Sequence, residues 1–208
     1  LTETVYSAKT TYYAVYEPDA EIYKVVLNAG DGKFEDGTTE KEVDRVPFGR
    51  LTKELEKPAP NASGLVFSHY ENESGYPVTV IEKGETLYAR YAKPVSTFED
   101  LLNINLSPEQ NYVLTNHITA GGDLWDEHGL VSWTAIGANS PRGFSGTFNG
   151  NGYKISVSAK SGTKQNFGLF SKISGTVYNL SVVGYFSISG TTDATALGAF
   201  ASEVSESG

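Results

Sequence analysis

The first half of the chain contains four short runs with strand-like patterns, separated by turn signals. These runs cover residues 22–27, 40–46, 65–70 and 86–91. Clusters of Gly, Asn, Asp and Pro bound them, as is typical of strands joined by tight turns. Between the second and third runs, Leu51 and Leu55 lie four positions apart, which predicts one or two helical turns. The predicted order is strand, strand, short helix, strand, strand.

One of these runs is repeated. Residues 11–16 read Thr-Tyr-Tyr-Ala-Val-Tyr and residues 86–91 read Thr-Leu-Tyr-Ala-Arg-Tyr, 75 positions later. Each is followed within three residues by a proline, so both fit the closing strand of a repeated module. We therefore expect residues 1–20 to be the closing strand of a preceding, truncated copy. Residues 21–94 form one complete copy.

A helix signal follows the repeat module. Ser96 lies where a helix N-cap belongs, and Glu99 stands three residues later, so the pair predicts a capping box. Three apolar residues fall on one face of the predicted helix: Phe98, Leu101 and Leu102. The sequence therefore predicts a short amphipathic helix over residues 96–103.

Beyond the helix, strand-like runs recur at a near-constant spacing. Strands are predicted at residues 112–118 and 131–136, and residues 144–155 predict a strand, a glycine turn and another strand. The pattern of residues 167–170 returns 30 positions later at residues 197–200. Regular short strands with glycine corners predict a solenoid, whose open first coil the preceding helix would cover. The predicted inward rows include Phe148, Ile155, Leu169, Ile173, Val177, Leu180, Phe200 and Val204.

Composition narrows the function classes. The formal net charge is -9 and there is no basic block, which argues against nucleic acid and against anionic membrane surfaces as partners. There is no Cys, so disulfides and thiolate chemistry are excluded. No apolar run approaches the roughly 20 residues that span a bilayer, so no membrane insertion is predicted within the chain. The chain has no Met and begins in mid-pattern, so we interpret it as a fragment.

Candidate chemistry is sparse. From Leu130 onward the acidic residues are Asp193, Glu203 and Glu206, and there is no His. Paired acid and base groups on a β scaffold are hard to assemble from these three. We therefore predict no catalytic residue, no cofactor and no enzymatic activity within this chain.

Other polar and aromatic residues also favour structural roles. Asp123, Asp126 and Glu127 share one loop but lack the regular spacing of a calcium site, so no metal is predicted and calcium binding there is left open. A structural or surface role is expected for the separated histidines and for the tryptophans. The asparagines at glycine turns are expected to satisfy turn backbone. These residues are His69, His117, His128, Trp125, Trp133, Asn149, Asn151 and Asn179.

Residues 22–94 resemble the Listeria-Bacteroides repeat, also called the internalin B-repeat. The motifs that carry the resemblance are Asn28-Ala29-Gly30, Phe34-Glu35-Asp36-Gly37, Pro47-Phe48-Gly49 and Leu87-Tyr88-Ala89-Arg90-Tyr91. The chain departs from the family pattern at residues 68–70, where the family's Gly-Trp-Tyr is Ser-His-Tyr. The resemblance implies a β-grasp-like spacer or adhesion module.

Residues 95–204 resemble the GLUG-type β-helix segment of bacterial surface proteins. The motifs are Tyr112, Leu114 and Ile118; Trp133, Ile136 and Gly137; Phe144, Gly146, Phe148, Gly150 and Gly152; Gly168, Leu169 and Phe170; then Asn179 and Leu180. The resemblance implies a fold and a surface location but no reaction. With the first resemblance, it predicts an all-β chain with short helices: a β-grasp-like repeat module at 21–94, then the helix-capped N-terminal coils of a parallel, right-handed β-helix at 95–208.

These patterns together predict a non-enzymatic, extracellular module of a bacterial cell surface that acts in adhesion or as a spacer. The alternative is the non-catalytic front end of a secreted β-helix enzyme or protease that acts on host or dietary glycans or proteins. The partner is expected to be a host or glycan or protein ligand of unknown identity. Self-association through an open C-terminal coil is a further expectation.

Overall fold

The computed structural model describes residues 21–121, 129–161, 168–188, 198 and 200–205. The predicted repeat copy at residues 1–20 and the acidic loop of Asp123, Asp126 and Glu127 lie outside these ranges. The described chain is mostly β-strand with one short α-helix, which confirms the all-β prediction with short helices. In chain order the elements are β1 (Ile22–Asn28), β2 (Gly32–Lys33), β3 (Glu40–Pro47), a 3-10 helix (Thr52–Glu54), β4 (Ala59–Pro60), β5 (Val66–Glu71), β6 (Pro77–Val78), β7 (Thr86–Val95), α1 (Phe98–Asn103), a second 3-10 helix (Ile104–Leu106), β8 (Tyr112–Leu114), β9 (Ile118–Ala120), β10 (Val131–Ser132), β11 (Thr147–Asn149), β12 (Lys154–Ser161), β13 (Phe170–Ile173), β14 (Thr176–Tyr178), β15 (Ser181–Ile188) and β16 (Ala201–Val204).

The repeat module, residues 21–94, is built on β1. This strand pairs antiparallel with β3 and parallel with β7, and β5 pairs antiparallel with the other side of β7. The predicted turn after β1 leads into β2, which pairs with β4, so the hairpin partner of β1 is β3 across a longer loop. Strand alternation turns one apolar row inward. The resulting core includes Val25, Leu27, Phe34, Tyr70, Ile81 and Leu87.

Strand β7 extends beyond the module. The closing strand was predicted at residues 86–91, but it continues to Val95 and pairs in parallel with β8 through Lys93, Pro94 and Val95. The predicted boundary after Pro94 therefore falls inside a continuous strand. One eight-stranded sheet contains β3, β1, β7, β8, β11 and β14 in this order, with β5 paired to β7 and β6 paired to β5. One hydrogen-bonded sheet therefore contains strands of both the module and the second half.

The second half, residues 95–205, forms three parallel ladders. The first is β7, β8, β11 and β14, in which Phe148 pairs with Tyr112 on one side and Val177 on the other. The second places β9 and β10 along one side of β12 and β15 along the other. The third pairs β13 with β16. Successive passes of the chain thus lie beside one another in register on three faces.

The three ladders enclose an aromatic and aliphatic core. Phe148 is 0% exposed, and its ring lies 6.3 Å from that of Phe144 and 5.8 Å from that of Phe170, between centroids. The structure confirms the predicted inward placement of Phe148, Ile155, Leu169 and Ile173, and it leaves Val177 and Leu180 partly buried against the same core.

Two residues of the predicted inward rows are exposed. Phe200 is 38% exposed and Val204 is 70% exposed, so the prediction is wrong for both. Phe200 packs its ring 5.6 Å from that of Phe170. Within the described residues, β16 pairs only with β13, so one side of this strand has no neighbouring pass to cover it. A pattern of inward residues buries its members only where a further strand lies beside them.

The helix α1 packs against the core of the second half. The predicted N-cap is wrong by one residue: Thr97 caps the helix, and its hydroxyl accepts a hydrogen bond from the backbone N–H of Asp100. The Asp100 carboxylate accepts hydrogen bonds from both backbone N–H groups before the helix, at Ser96 and Thr97, and from the Ser96 hydroxyl. These bonds lower the pKa of Asp100. Leu101 is buried in the core of the second half.

A corner, where the chain turns from one ladder to the next, accounts for one further difference from the sequence prediction. The run at residues 112–118 is two strands, β8 and β9, because the chain turns a corner between them. At another corner the passes come so close that side chains cannot fit. A Cβ on Gly146 would lie 1.9 Å from the carbonyl oxygen of Gln110, and a Cβ on Gly175 would lie 2.1 Å from that of Gly146. Glycine is required there by backbone contact.

Replacement of Phe148 by Ala is expected to lower the free energy of unfolding by about 3–5 kcal/mol, because it removes a fully buried ring and leaves a cavity in a packed core. Urea denaturation followed by circular dichroism measures the change. The matched control is Val204→Ala, at an exposed site, which is expected to change the stability by less than about 0.5 kcal/mol. Equal effects of the two substitutions would contradict the enclosed core.

Candidate functional site

A cleft lies where the repeat module meets the second half. Its volume is about 280 Å³. Strand β5, the first 3-10 helix and β6 supply one wall, and the turns that follow β11 and β14 supply the other. The residues that line this cleft are Leu51, Thr52, Lys53, Lys57, Phe67, Ser68, His69, Tyr70, Val78, Thr79, Asn149, Asn151, Gly152, Tyr178 and Asn179.

A β-bulge in β5 directs side chains toward this junction. The register between β5 and β7 shifts between Phe67 and His69, so Ser68 is the extra residue of the bulged strand. Bulges re-aim side chains and are common beside functional sites. Ser68 is only 7% exposed. The bulge therefore places a serine and a histidine that are neighbours in sequence at one buried junction.

Asn149 joins the two walls. Its side chain is 2% exposed, and its Nδ2 donates to the backbone carbonyl of Ser68 at 3.1 Å and to the Ser68 hydroxyl at 3.4 Å. Its Oδ1 accepts from the backbone N–H of Asn151 at 2.8 Å. One amide side chain thus holds its own turn and ties the second half to the module.

A row of hydrogen bonds runs from Ser68 along the junction. His69 Nδ1 lies 3.0 Å from the Ser68 hydroxyl, and His69 Nε2 lies 3.0 Å from Oε1 of Glu71. Arg90 donates to the other oxygen of this carboxylate, Oε2. A carboxylate only accepts, so Nε2 of the neutral ring carries the proton and Nδ1 accepts from Ser68. Burial lowers the pKa of His69, with a further contribution from Arg90, against the opposing effect of Glu71. The imidazole is therefore held in its neutral form.

The order serine, histidine, carboxylate is also that of a hydrolytic triad. Here, however, Ser68 is only 7% exposed as a residue, and its hydroxyl accepts a hydrogen bond from Asn149 as well. A nucleophile must be free to attack its substrate, and the Ser68 oxygen is engaged by both His69 and Asn149. The row acts to hold the junction together.

Tyr178 brings an unsatisfied hydroxyl to the cleft. Its ring packs edge-on against the His69 ring at 5.6 Å between centroids. The phenol oxygen is buried and has no hydrogen-bond partner among the described residues. Burial raises the pKa of Tyr178, as does the charge of Glu71, and the neighbouring Ser68 side chain acts in the opposite direction although its geometry is not that of a hydrogen bond. A buried hydroxyl without a partner costs free energy.

The charge of the cleft is opposite to that of the protein. Lys53 and Lys57 line it, and none of the lining residues is Asp or Glu. The protein as a whole carries -9. Glu71 lines a second cavity, of about 210 Å³, together with Arg90. The cleft therefore presents two cations, a neutral histidine, amides and aromatic rings.

The remaining candidate residues have structural roles. Trp133 is buried in the core, and its Nε1 donates to the carbonyl oxygen of Gly168 at 2.8 Å. His117 accepts a hydrogen bond from the backbone N–H of Lys154 at 3.0 Å. Both agree with the structural role expected from the sequence. Trp125, His128, Asp193 and Glu206 lie outside the described residues.

One of the three asparagines satisfies turn backbone as predicted: Asn149 accepts from the backbone N–H of Asn151. Asn151 and Asn179 have positive φ angles of 52° and 53°, the backbone conformation of a tight turn. The Asn151 side chain instead donates to the carbonyl oxygen of Leu114, and the Asn179 side chain makes no hydrogen bond to the described residues. The contact of Asn149 with Ser68 was not predicted, and neither was the cleft. The one sequence signal that falls there is the departure from the repeat pattern at residues 68–70.

Within the described ranges, no three His, Asp or Glu residues group closely enough to hold a metal ion. In the same part of the chain, no helix has both the length and the apolar character needed to cross a membrane. No protein-family model, curated protein or solved structure matches this chain. The resemblances to the Listeria-Bacteroides repeat and to the GLUG-type segment therefore stay predictions.

The Tyr178→Phe substitution is expected to raise the free energy of unfolding by about 1 kcal/mol, since it removes a buried hydroxyl that has no partner and keeps the ring. The control is Tyr112→Phe, whose hydroxyl donates to the carbonyl oxygen of Ser107 at 3.0 Å. That change is expected to lower stability by about 1 kcal/mol. Urea denaturation of both variants measures the difference, and equal losses would show that the Tyr178 hydroxyl is satisfied.

His69 is expected to make stability depend on pH. Its pKa in the folded chain lies below the ordinary value of about 6.5, so on acidification the unfolded chain takes up the proton first. Stability is therefore full above pH of about 6.5 and falls as pH drops toward the folded pKa. Urea denaturation between neutral and mildly acidic pH should show this loss in the native chain and in His117→Gln, but much less of it in His69→Gln. An NMR titration with the His69 pKa above 6.5 would exclude this interpretation.

Proposed function

We propose that this chain is a rigid, non-enzymatic segment of a bacterial cell-surface protein, which acts as a spacer or in adhesion. The observation that carries the proposal is that β7 belongs to both halves: it pairs with β1 and β5 in the module and with β8 in the second half. Bending between the halves requires backbone hydrogen bonds to break. A segment built in this way transmits orientation along its length.

The proposed architecture is a β-grasp-like module followed by the capped first coils of a parallel, right-handed β-helix. The parallel pairing of β1 with β7 between antiparallel partners supports the first part. Three parallel ladders around one core, with α1 packed over its start, support the second. The right-handed sense rests on the strong preference of parallel β connections for that hand.

The surface location and the lack of activity rest on other observations. Both halves resemble segments of bacterial surface proteins, and the sequence offers few acidic residues in the second half. The hydroxyl of the Ser68, His69 and Glu71 row is engaged by both His69 and Asn149. Many aromatic and apolar side chains at strand positions pack in the two cores, which leaves binding to surfaces and clefts.

Rigidity can be measured with pairs of spin labels, because the chain has no native Cys. Labels at Lys33→Cys and Lys160→Cys report the distance between the halves, and labels at Lys33→Cys and Lys83→Cys report a distance within the module. We expect the two distance distributions from double electron–electron resonance to be equally narrow, since one sheet joins the halves. A broad or two-peaked distribution for the first pair alone would refute a rigid segment.

Two further measurements test the remaining parts of the proposal. Antibodies against this chain should label intact cells that produce the parent protein, and labelling only after lysis would overturn the surface location. Hydrolysis of a small ester by the purified chain should equal that of the Ser68→Ala variant. A faster rate for the native chain would overturn the non-enzymatic assignment.

A further inference from the structure

The shape and walls of the cleft suit a small ring. Its volume of about 280 Å³ lies just below the range of about 300–1,000 Å³ for ligand pockets, so it suits a ligand smaller than most. Phe67 stands on the module wall, and Tyr178 stands on the opposite wall against His69. Aromatic rings offer an apolar face to the C–H side of a sugar, and their polar neighbours take its hydroxyl groups.

An unused hydrogen-bonding side chain lines the same cleft. Asn179 is exposed at the cleft, and its side-chain amide makes no hydrogen bond to the described residues. The amides of Asn149 and Asn151 are occupied by the junction. The Tyr178 hydroxyl also has no partner among the described residues, but its oxygen is buried, so Tyr178 offers its ring to the cleft and not its hydroxyl. The free amide of Asn179 therefore faces the cleft from the second half.

The free charges face it from the module. Lys53 and Lys57 are exposed lining residues, and no described acidic residue forms an ion pair with either. The general charge of -9 opposes an anion at long range, but salt screens exposed charges beyond about 8–10 Å. At contact distance the attraction of an anion to the two lysine ammonium groups exceeds its repulsion by the net charge. A ligand that uses every free group of the cleft is thus ring-shaped, rich in hydroxyls and negatively charged.

We propose that the cleft binds one anionic sugar residue, a pyranose ring that carries a carboxylate or a sulfate. The ring lies between Phe67 and Tyr178, its hydroxyls meet Asn179, and its anionic group faces Lys53 and Lys57. This inference rests on the proposed function, for which it names the site and the class of ligand. Both walls are needed, so the site exists only where the two halves are joined.

Isothermal titration of the whole chain with three probes tests the proposal: methyl glucuronide, methyl glucoside and acetate. We expect methyl glucuronide to bind about tenfold more tightly than methyl glucoside, the ratio that corresponds to 1.4 kcal/mol, and acetate not to bind measurably. Equal binding of the two glycosides would overturn the anionic preference. Binding of acetate as tight as that of the glucuronide would overturn the sugar. No saturable binding of either glycoside would overturn the site.

Variants assign the binding to the cleft. Asn179→Gly should weaken binding of methyl glucuronide about tenfold by removal of one hydrogen bond, without loss of stability, because glycine tolerates the positive φ of 53° at this position. The double change Lys53→Gln and Lys57→Gln should abolish the preference for glucuronide over glucoside. The matched control, Lys33→Gln with Lys83→Gln, removes the same charge elsewhere and should leave that preference intact. Identical losses in the two double variants would show that net charge alone acts.

The outcome is independent of the test of rigidity. Spin-label distances do not require a ligand, so narrow distributions without sugar binding would refute the site and leave the spacer function standing. Sugar binding together with a broad distribution of distances between the halves would support the site and refute the rigid spacer.

Discussion

The first strand of a parallel ladder needs a pairing partner, because without one its backbone N–H and C=O groups stay unpaired along one edge. In this protein the end of β7 occupies that edge. Lys93, Pro94 and Val95 pair with β8, while the earlier residues of the same strand close the repeat module. The helix α1 then covers the apolar interior beside the first pass. The second half therefore depends on the first for a paired starting strand.

The cleft is a consequence of this arrangement. A shared strand fixes the two halves at one seam, and the side chains on either side of it must satisfy one another. Asn149 does so at Ser68, where the β5 bulge turns the backbone toward it. Tyr178, one pass further on, reaches the same place but finds no partner for its hydroxyl. The junction between the halves thus has paired hydrogen-bonding groups near Ser68, whereas the Tyr178 hydroxyl beside them has no partner among the described residues.

Most of the elements could be predicted because their signals are local. The strands at residues 22–27 and 40–46 have the predicted positions within one residue, and Leu101 lies on the predicted buried face of α1. Errors arose where two local solutions compete or where tertiary contacts decide. Ser96 and Thr97 both carry hydroxyls before the helix, and Thr97 is the cap because the backbone N–H of Asp100 reaches its hydroxyl. The corner between β8 and β9 falls at Thr115, Asn116 and His117, three polar residues that the strand predicted at residues 112–118 ran through.

The sequence alone determined the strand content, the glycine corners and the absence of thiol chemistry, because alternation, backbone freedom and composition act over a few residues. Only the tertiary structure decided what those elements build together. Ser68 and Asn149 are 81 positions apart, and their hydrogen bond exists because β7 sets the module against the ladders. The orphaned Tyr178 hydroxyl and the acid-free lining of the cleft arise in the same way. Such long-range neighbours depend on how whole strands pair, which no short stretch of sequence records.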